Sequence, residues 1–507
     1  MKIIKETKFT YVFAAIAVLL FCKTCLVTAQ TPRRLGPASD EVIQKALTAL
    51  KADMTNLKAH AAYIHAMGMS SPAVAAQYQK WMAEFPGDLH IPLAIGTAYY
   101  KATMPQPGDF LLKAAEMDPK NDKIWNMLAQ DAFLKSDDAL FAVYMGKAAQ
   151  LDPSNIGYAY SMVTHSEKAE PERYEQNIRE FVKRFPEDNR GANLLASLAS
   201  SSADPEKKIY YLEQVRKQYP PQHFSWSASS VIKLADMYMQ TNPEKVLSLI
   251  HEVGEQSIAW DYRKQLAESL IKSAALEKEQ NYKAALATLN RAKIPSFHFL
   301  RDFPSLKKAF LTAKSGDMNG AYDSLAIRFA KSPGHALNDS LSAYGLQIGK
   351  DKKEIYDDID SIRISKASAA ADFDLGLYTS NEKVSLRSLR GKVILLTFWF
   401  PGCGPCKEEF PHFQTVVDKF KGDELVYLAV NTQPSQDGFV LPFLEKNNVS
   451  FTPLRGSWDF ATDSYGVSGA PSNFLIDKDG KVIFKDFTIN DSNRDMLELM
   501  IASQLEK

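Results

Sequence analysis

This chain contains little cysteine: Cys22 and Cys25 lie close to the N-terminus, and Cys403 and Cys406 are the only others in its 507 residues. A fold that is stapled by many disulfides is therefore excluded. A plain stabilising disulfide between Cys403 and Cys406 would close a loop of about four residues, and so short a loop gains little from chain-entropy restriction. The C-terminal pair is instead predicted to be reactive.

The sequence also lacks an excess of charge of either sign, because 60 lysines and arginines balance 60 aspartates and glutamates. Such a chain produces no bulk field that would attract nucleic acid or an anionic membrane, so we expect no nucleic-acid partner. No apolar run beyond residue 30 is long enough to span a bilayer. The length suggests roughly two to four domains.

The N-terminal segment is typical of a secretory signal. Three lysines precede an apolar stretch, Tyr11–Phe21, which is too short for a comfortable membrane span. Small residues at Val27–Ala29 suit cleavage before Gln30, so residues 1–29 are predicted to be a signal peptide. The expected location is the periplasm or cell envelope. An uncleaved N-terminal membrane anchor is the alternative.

Residues 39–350 are rich in Ala, Leu, Lys, Gln and Glu and contain few strand-like runs. Prolines recur there at intervals of 33 or 34 residues, each after a helix-like stretch: Pro86, Pro119, Pro153, Pro186 and Pro220. This period is typical of tetratricopeptide-like helix pairs, so about eight pairs are predicted to stack as a solenoid. Its concave face could bind protein segments, or the array could only space or dimerise the domain that follows.

The remainder of the chain divides in two. Residues 351–370 are predicted to hold a last helix and a linker, because a charged segment gives way to small residues. In residues 371–507, strand and helix patterns alternate, which is typical of an α/β domain. The predicted fold class is therefore a multidomain chain, with an all-α helical-repeat solenoid followed by an α/β domain.

The reactive pair lies where an apolar strand pattern, Val393–Phe398, gives way to a helical pattern, Lys407–Phe420. Cys403 thus falls at a helix N-terminus, where unpaired N–H groups and the macrodipole stabilise a thiolate, the nucleophilic form. Cys406 follows one turn later, within disulfide reach. Cys403 could attack a disulfide and form a mixed disulfide that Cys406 resolves. The pattern predicts dithiol–disulfide exchange.

Further motifs surround this pair. They are Trp399, Cys403-Gly404-Pro405-Cys406, Glu409-Phe410-Pro411, Gly469-x-Pro471 and Phe474-Leu475-Ile476-Asp477, with an entry segment at Phe373-x-Leu375 and Val384–Lys392. Together they resemble the thioredoxin superfamily, and most closely the TlpA/ResA-like periplasmic thiol–disulfide reductases. The resemblance covers about residues 370–507 and implies a thioredoxin-like fold there.

The resemblance also implies roles for single residues. Pro471 is expected to be a cis-proline that faces the cysteines, with Ala470 and Trp399 in the substrate-binding surface. The main chain of Ala470 would pair with a substrate strand. Glu409 is expected to lie near the cysteines and tune their protonation. Thr397 stands where thioredoxins proper carry a buried aspartate, so a carboxylate proton relay would have to come from Glu409.

The function expected from the resemblance is that of an exported thiol–disulfide oxidoreductase, acting as a reductase of protein disulfides. The redox-active disulfide is Cys403–Cys406, and no metal or other cofactor is expected, because electrons would come from a partner dithiol. Expected partners are disulfide-bearing exported proteins, a membrane or periplasmic electron donor, and a protein ligand of the helical repeats.

Other functions stay open. The direction of exchange could be that of a thiol oxidase or isomerase, because redox poise is not legible in the sequence. A thiol peroxidase would share the fold, although Pro401-Gly402-Cys403 does not match the peroxidase pattern. The helical repeats could form an interaction scaffold beside an incidental redox domain. A metal site formed by the cysteines with His412 is disfavoured, because structural zinc usually takes four ligands.

Overall fold

The structure is a computed structural model that describes residues 37–69, 71–253, 258–293, 300, 302–420, 422, 424–490 and 493–505. The predicted signal peptide, with Cys22 and Cys25, lies outside the described residues. Within them, helices fill the chain from Asp40 to Lys366, and an α/β domain follows. The predicted fold class is confirmed.

Nineteen α-helices lie in the described residues before the α/β domain. They are α1 (Asp40–Ala52), α2 (Leu57–Met67), α3 (Pro72–Glu84), α4 (His90–Lys101), α5 (Pro107–Met117), α6 (Asp122–Leu134), α7 (Asp138–Leu151), α8 (Ile156–Ala169), α9 (Tyr174–Arg184), α10 (Asn189–Ser201), α11 (Pro205–Gln218), α12 (Ala228–Thr241), α13 (Pro243–Val253), α14 (Ile258–Lys278), α15 (Tyr282–Arg291), α16 (Phe303–Lys314), α17 (Met318–Lys331), α18 (His335–Gln347) and α19 (Lys352–Lys366). Eight helix pairs would supply 16 helices, so this region contains more helices than predicted.

The recurring prolines mark helix ends. Each lies two residues after the last residue of a helix: α3, α5, α7, α9 or α11. The residue between donates its N–H to the carbonyl four positions back, as Phe85 does to Trp81 and Phe185 to Phe181. Two helices fit between successive prolines, which accounts for the period. The assignment of these pairs as tetratricopeptide repeats stays a prediction.

The chain forms two compact units. The first contains the described residues up to Ala102 together with Gln106–Asp118. In its interior the His60 Nδ1 atom lies 2.8 Å from the Tyr78 hydroxyl, and the Tyr78 and Trp81 rings meet edge to face at 5.1 Å. The second unit contains Thr103–Pro105 and the described residues from Pro119 onward. The α/β domain lies in this second unit.

Repeated polar contacts tie the helices of the second unit together. The Tyr158 hydroxyl of α8 donates to Asp122 of α6 at 2.7 Å, and the Tyr211 hydroxyl of α11 donates to Glu175 of α9 at 2.8 Å. Both contacts join residues 36 positions apart, close to the repeat period. These bonds therefore fix how one pair stacks on the next.

The α/β domain holds eight strands among its described residues. They are β1 (Ser368–Ala369), β2 (Asp374–Gly376), β3 (Lys383–Ser385), β4 (Val393–Trp399), β5 (Leu425–Asn431), β6 (Thr452–Arg455), β7 (Ser472–Ile476) and β8 (Lys481–Lys485). Its helices are α20 (Gly404–Val417), α21 (Val440–Asn447), α22 (Trp458–Tyr465) and α23 (Arg494–Leu505).

Six strands form one mixed sheet in the order β1-β8-β7-β4-β5-β6, and β2 pairs with β3 separately. Strand β4 runs parallel to β5 and antiparallel to β7. It is buried on both faces, and its alternate residues enter two cores. Leu395 and Trp399 belong to the core that contains the cysteines, and Ile394 and Phe398 belong to the other.

Two predicted elements have shifted bounds. The sequence pattern predicts a helix over Gly438–Asn447, whereas the structure has a 3₁₀ segment, Pro434–Phe439, followed by α21 from Val440. The sequence pattern also predicts a strand over Val482–Phe487, but β8 ends at Lys485, because Asp486 has a φ of 55° and leaves the extended region. The domain boundaries stay a prediction. No helix in the described ranges combines the length and apolar character that a membrane crossing requires.

One ion pair is fully buried in the helical region. Arg263 of α14 binds both carboxylate oxygens of Asp236 of α12 at 2.7 Å, and both side chains have no exposed surface. Arg263→Met would leave the Asp236 carboxylate without this partner, so we expect the free energy of unfolding to fall by about 3–5 kcal/mol. Urea denaturation measures this loss. The double variant that adds Asp236→Leu should recover most of it, and an equal loss in both variants would contradict the explanation.

Candidate active site

The cysteine pair lies at the carboxyl end of β4. After Trp399 the chain turns, with the Cys403 N–H donating to the Phe400 carbonyl at 2.9 Å, and α20 begins at Gly404. Cys403 is the N-cap residue of α20, and its Sγ accepts the Cys406 N–H at 3.2 Å. The two cysteines form a disulfide with a Cα–Cα distance of 5.3 Å. The predicted strand–cysteine–helix arrangement is therefore present, with Cys403 where a negative sulfur is favoured.

The pair is built into an aromatic core. Cys403 is 3% exposed and Cys406 is fully buried. Beneath them the Trp399 ring lies 4.9 Å from the ring of Phe443 and 5.2 Å from that of Phe410. Trp399 has no exposed surface in this structure, and its expected place in the substrate-binding surface stays a prediction. Its side chain supports the cysteines by packing.

The loop before β7 lies beside the pair. Ser472 pairs with Phe398, one residue before the end of β4, and the peptide bond between Ala470 and Pro471 is cis. Ala470 packs against the core cluster that contains both cysteines. In the described part of the chain its N–H and carbonyl have no hydrogen-bond partner. This backbone is therefore available to a bound strand.

Glu409 supplies a buried carboxyl group one helical turn after Cys406. It is 6% exposed, and its position three residues along α20 places it on the same helix face as Cys406. Its Oε2 accepts a hydrogen bond from Asn473 Nδ2 at 2.9 Å, and its Oε1 accepts the Ile489 N–H at 3.0 Å. Asn473 is itself held, because its Oδ1 accepts the Thr397 hydroxyl at 2.8 Å.

Burial raises the pKa of Glu409 to about 7, although the hydrogen bonds from Asn473 and the Ile489 N–H oppose the shift. A carboxyl group with this pKa can either hold or release a proton near neutral pH. Such a group suits proton exchange with a neighbouring thiol. Thr397, which replaces the aspartate of thioredoxins proper, contributes a hydrogen bond that fixes Asn473.

Three residues at the site are absent from the sequence-based predictions: Asn473, Gln436 and Lys407. Asn473 sits opposite Thr397 in the β4–β7 register, and a polar residue in each of two apolar strands could have signalled the pair. Gln436 accepts the Gly402 N–H at 2.7 Å and so holds the turn before Cys403. Burial lowers the pKa of Lys407, next to Cys406, to about 8. Nothing in their local patterns marks Gln436 or Lys407.

Comparison with known proteins agrees with this geometry. A sequence model of the AhpC/TSA family matches residues 367–485. The thiol-disulfide oxidoreductase ResA of Bacillus subtilis (strain 168) is 35% identical over 120 residues, which cover 24% of this chain and 66% of the relative. ResA of Geobacillus thermodenitrificans (strain NG80-2) is 33% identical over 120 residues, covering 24% and 67%. The chain belongs to the ResA/TlpA-like thiol–disulfide oxidoreductases.

The resemblance predicted from the motifs is thereby confirmed for the ResA-like domain. The chain spans slightly less than two thirds, 66%, of the length of the Bacillus subtilis relative. Among solved structures, a protein from Chlorobium tepidum assigned as the thiol:disulfide interchange protein DsbE is 32% identical to this chain. The match covers 28% of this chain and 97% of that protein, with a TM-score of 0.26. The thioredoxin domain of a Bacteroides vulgatus thiol-disulfide oxidoreductase is 24% identical and covers 26% and 96%, with a TM-score of 0.24.

The raised pKa of Glu409 predicts a pH-dependent stability. The folded pKa of about 7 exceeds the usual 4.5, so the contribution of Glu409 is fully present below pH 4.5 and is lost as the pH rises through 7. Glu409→Gln should remove this dependence. The advantage of the parent over the variant in free energy of unfolding should shrink by about 2–3 kcal/mol across that window. Urea denaturation of the oxidised proteins measures it.

The control for this experiment is Glu445→Gln, which changes an exposed glutamate of α21. Its difference from the parent should stay nearly constant over the same range. If Glu409→Gln and Glu445→Gln showed the same pH profile, Glu409 would not be the group that titrates.

Asn473 predicts a second effect on the same carboxyl. Its hydrogen bond lowers the pKa of Glu409, so Asn473→Leu should raise that pKa above 7. Titration of the Glu409 carboxyl carbon by NMR measures the change. Asn447→Leu is the matched control, because it makes the same substitution at an amide that donates to the Phe443 carbonyl and not to Glu409. An unchanged or lower pKa in Asn473→Leu would show that this bond does not stabilise the carboxylate.

Proposed function

We propose that the chain is an exported thiol–disulfide oxidoreductase that reduces disulfides in other exported proteins. The observation that carries the proposal is the Cys403–Cys406 disulfide at the N-terminus of α20, beside an Ala470 main chain with no partner in the described residues. The ResA relatives support thiol–disulfide exchange as the reaction class. Export rests on the pattern of residues 1–29.

The reaction begins with the reduced pair. The Cys403 thiolate attacks one sulfur of a substrate disulfide, and the second substrate sulfur leaves as a thiolate and takes up a proton. Glu409, when ionised, accepts the proton of Cys406. The Cys406 thiolate then attacks Cys403 Sγ, and the first substrate sulfur leaves as a thiolate that takes the proton held by Glu409 and is released as a thiol. Two electrons have moved to the substrate, and the pair is left as the disulfide seen here.

The substrate reaches the cysteines along the loop before β7. An extended segment can pair with the Ala470 main chain, as a strand adds to a sheet edge. Pro471 shapes this surface. The electron donor is a membrane or periplasmic dithiol protein that reduces Cys403–Cys406 again, and no metal or organic cofactor takes part. The helical repeats supply a surface for a protein ligand.

Substitution of each cysteine tests the roles separately. Cys403→Ser should reduce the turnover of an insulin-type disulfide, given a dithiol, to the uncatalysed rate, because the nucleophile is gone. Cys406→Ser should still attack once and accumulate a mixed disulfide, visible by mass spectrometry under non-reducing conditions. Undiminished turnover by Cys403→Ser would contradict the assignment of Cys403 as the nucleophile.

Direction is tested by equilibration with glutathione. Strong reductants and strong oxidants among thioredoxin-like proteins differ by about 150 mV, so we expect a potential near the reducing end of that range. A potential near the oxidising end would favour a thiol oxidase or isomerase. Rapid consumption of peroxide by the reduced protein would favour a thiol peroxidase.

A further inference from the structure

The end of α6 lies on the catalytic domain, in the same compact unit. Lys407 Nζ donates to the Phe133 carbonyl at 3.0 Å and lies 4.3 Å from the centre of the Phe133 ring. The carbonyl belongs to the last turn of α6, where a cation is favoured. Asp137 forms an ion pair with Lys446 of α21 at 3.0 Å. We call residues 133–137 the α6 wall.

The α6 wall lies against one flank of the cysteine loop at Gly402, the residue directly before Cys403. A Cβ placed on Gly402 would lie 3.1 Å from Leu134 Cδ2 and 3.1 Å from Gln436 Oε1, so that flank is closed. The same test at Gly404 and at Gly469 meets no atom within 4 Å. Lys407, which contacts the wall, follows Cys403 by one helical turn and so shares its face of α20. The approach to the sulfur is therefore one-sided.

A one-sided approach distinguishes between shapes of substrate. The attacking sulfur must come within bonding distance of the substrate sulfur, yet Cys403 is only 3% exposed. A single extended segment is narrow, since neighbouring strands lie about 5 Å apart, and it can follow Ala470 along the open flank. A disulfide on the surface of a folded protein brings a broad surface with it, which would meet Leu134 first.

We propose that the α6 wall is a specificity element, which admits disulfides in extended polypeptide segments and excludes disulfides on the surface of folded proteins. The inference rests on the proposed function for its substrate class. The closure of one flank is independent of that function, because it limits any reagent that reaches Cys403. The preference for extended substrates and the closure of one flank can each be measured.

The first measurement compares reagents of two sizes. The reduced protein is treated with iodoacetamide or with a maleimide carried on a long polyethylene glycol chain, and unmodified Cys403 is counted by mass spectrometry of its peptide. Leu134→Ala should raise the ratio of the large-reagent rate to the small-reagent rate by about tenfold, as the loss of a 1.4 kcal/mol barrier does. Leu140→Ala, at an exposed leucine of α7, is the matched control and should leave the ratio unchanged.

A surface variant gives the same readout without changing the packing of Leu134, so the test does not depend on whether Leu134→Ala folds. Lys446→Glu sets a carboxylate against Asp137 and should raise the same ratio, whereas Lys419→Glu, at the 2.5 Å pair with Glu498, should not. If the ratio of the large-reagent rate to the small-reagent rate is unchanged in both Leu134→Ala and Lys446→Glu, the α6 wall does not close this flank.

The second measurement uses substrates. The parent should favour a disulfide in an unfolded peptide over one on a folded protein, and Leu134→Ala should narrow that preference in kcat/KM. If the parent reduces neither substrate, the proposed function fails, while the alkylation ratio still decides whether the flank is closed. Equal preference in parent and Leu134→Ala contradicts the specificity role even if both are active.

Discussion

The antiparallel pairing of β4 with β7 is the constraint on which the site depends. It sets Ser472 beside Phe398 and Asn473 beside Thr397. The first pairing brings the loop with Ala470 and Pro471 next to the end of β4, where the cysteines follow. The second places an amide within reach of Glu409 on α20. A slip of one residue would turn Asn473 to the other face of the sheet and leave the Glu409 carboxyl without its main donor.

Much of this site could be predicted because its signals are local. The strand end, the cysteine spacing and the helix start lie within a few residues of one another, and the proline period follows from two helices between successive breaks. The contacts that the sequence did not reveal join distant positions: Asn473 and Glu409 are 64 residues apart, and Lys407 and Phe133 are 274 apart. The full burial of Trp399 was not predicted, because an aromatic residue at a strand end gives no sign of which neighbours cover it.

The helical array and the catalytic domain meet at a second place besides the α6 wall. Leu499 of α23 packs against the core of α16–α19, and the Arg363 guanidinium of α19 lies 4.9 Å from the centre of the Phe484 ring in β8. The ResA relatives match only about a quarter of the chain. Helices of the second unit that lie outside the matched region thus contact the α/β domain at two places.

The short strand β1 has its own consequence for how this chain can be divided. It begins two residues after α19 and pairs with β8, with the Ala370 N–H donating to the Gly480 carbonyl at 2.9 Å. A fragment that starts at residue 371 would strip this strand away and bare the main-chain groups of β8. Open strand edges recruit further strands, so such a fragment would tend to self-associate. The last helix of the array, α19, thus leads directly into β1, and β1 covers the main-chain groups at the edge of β8.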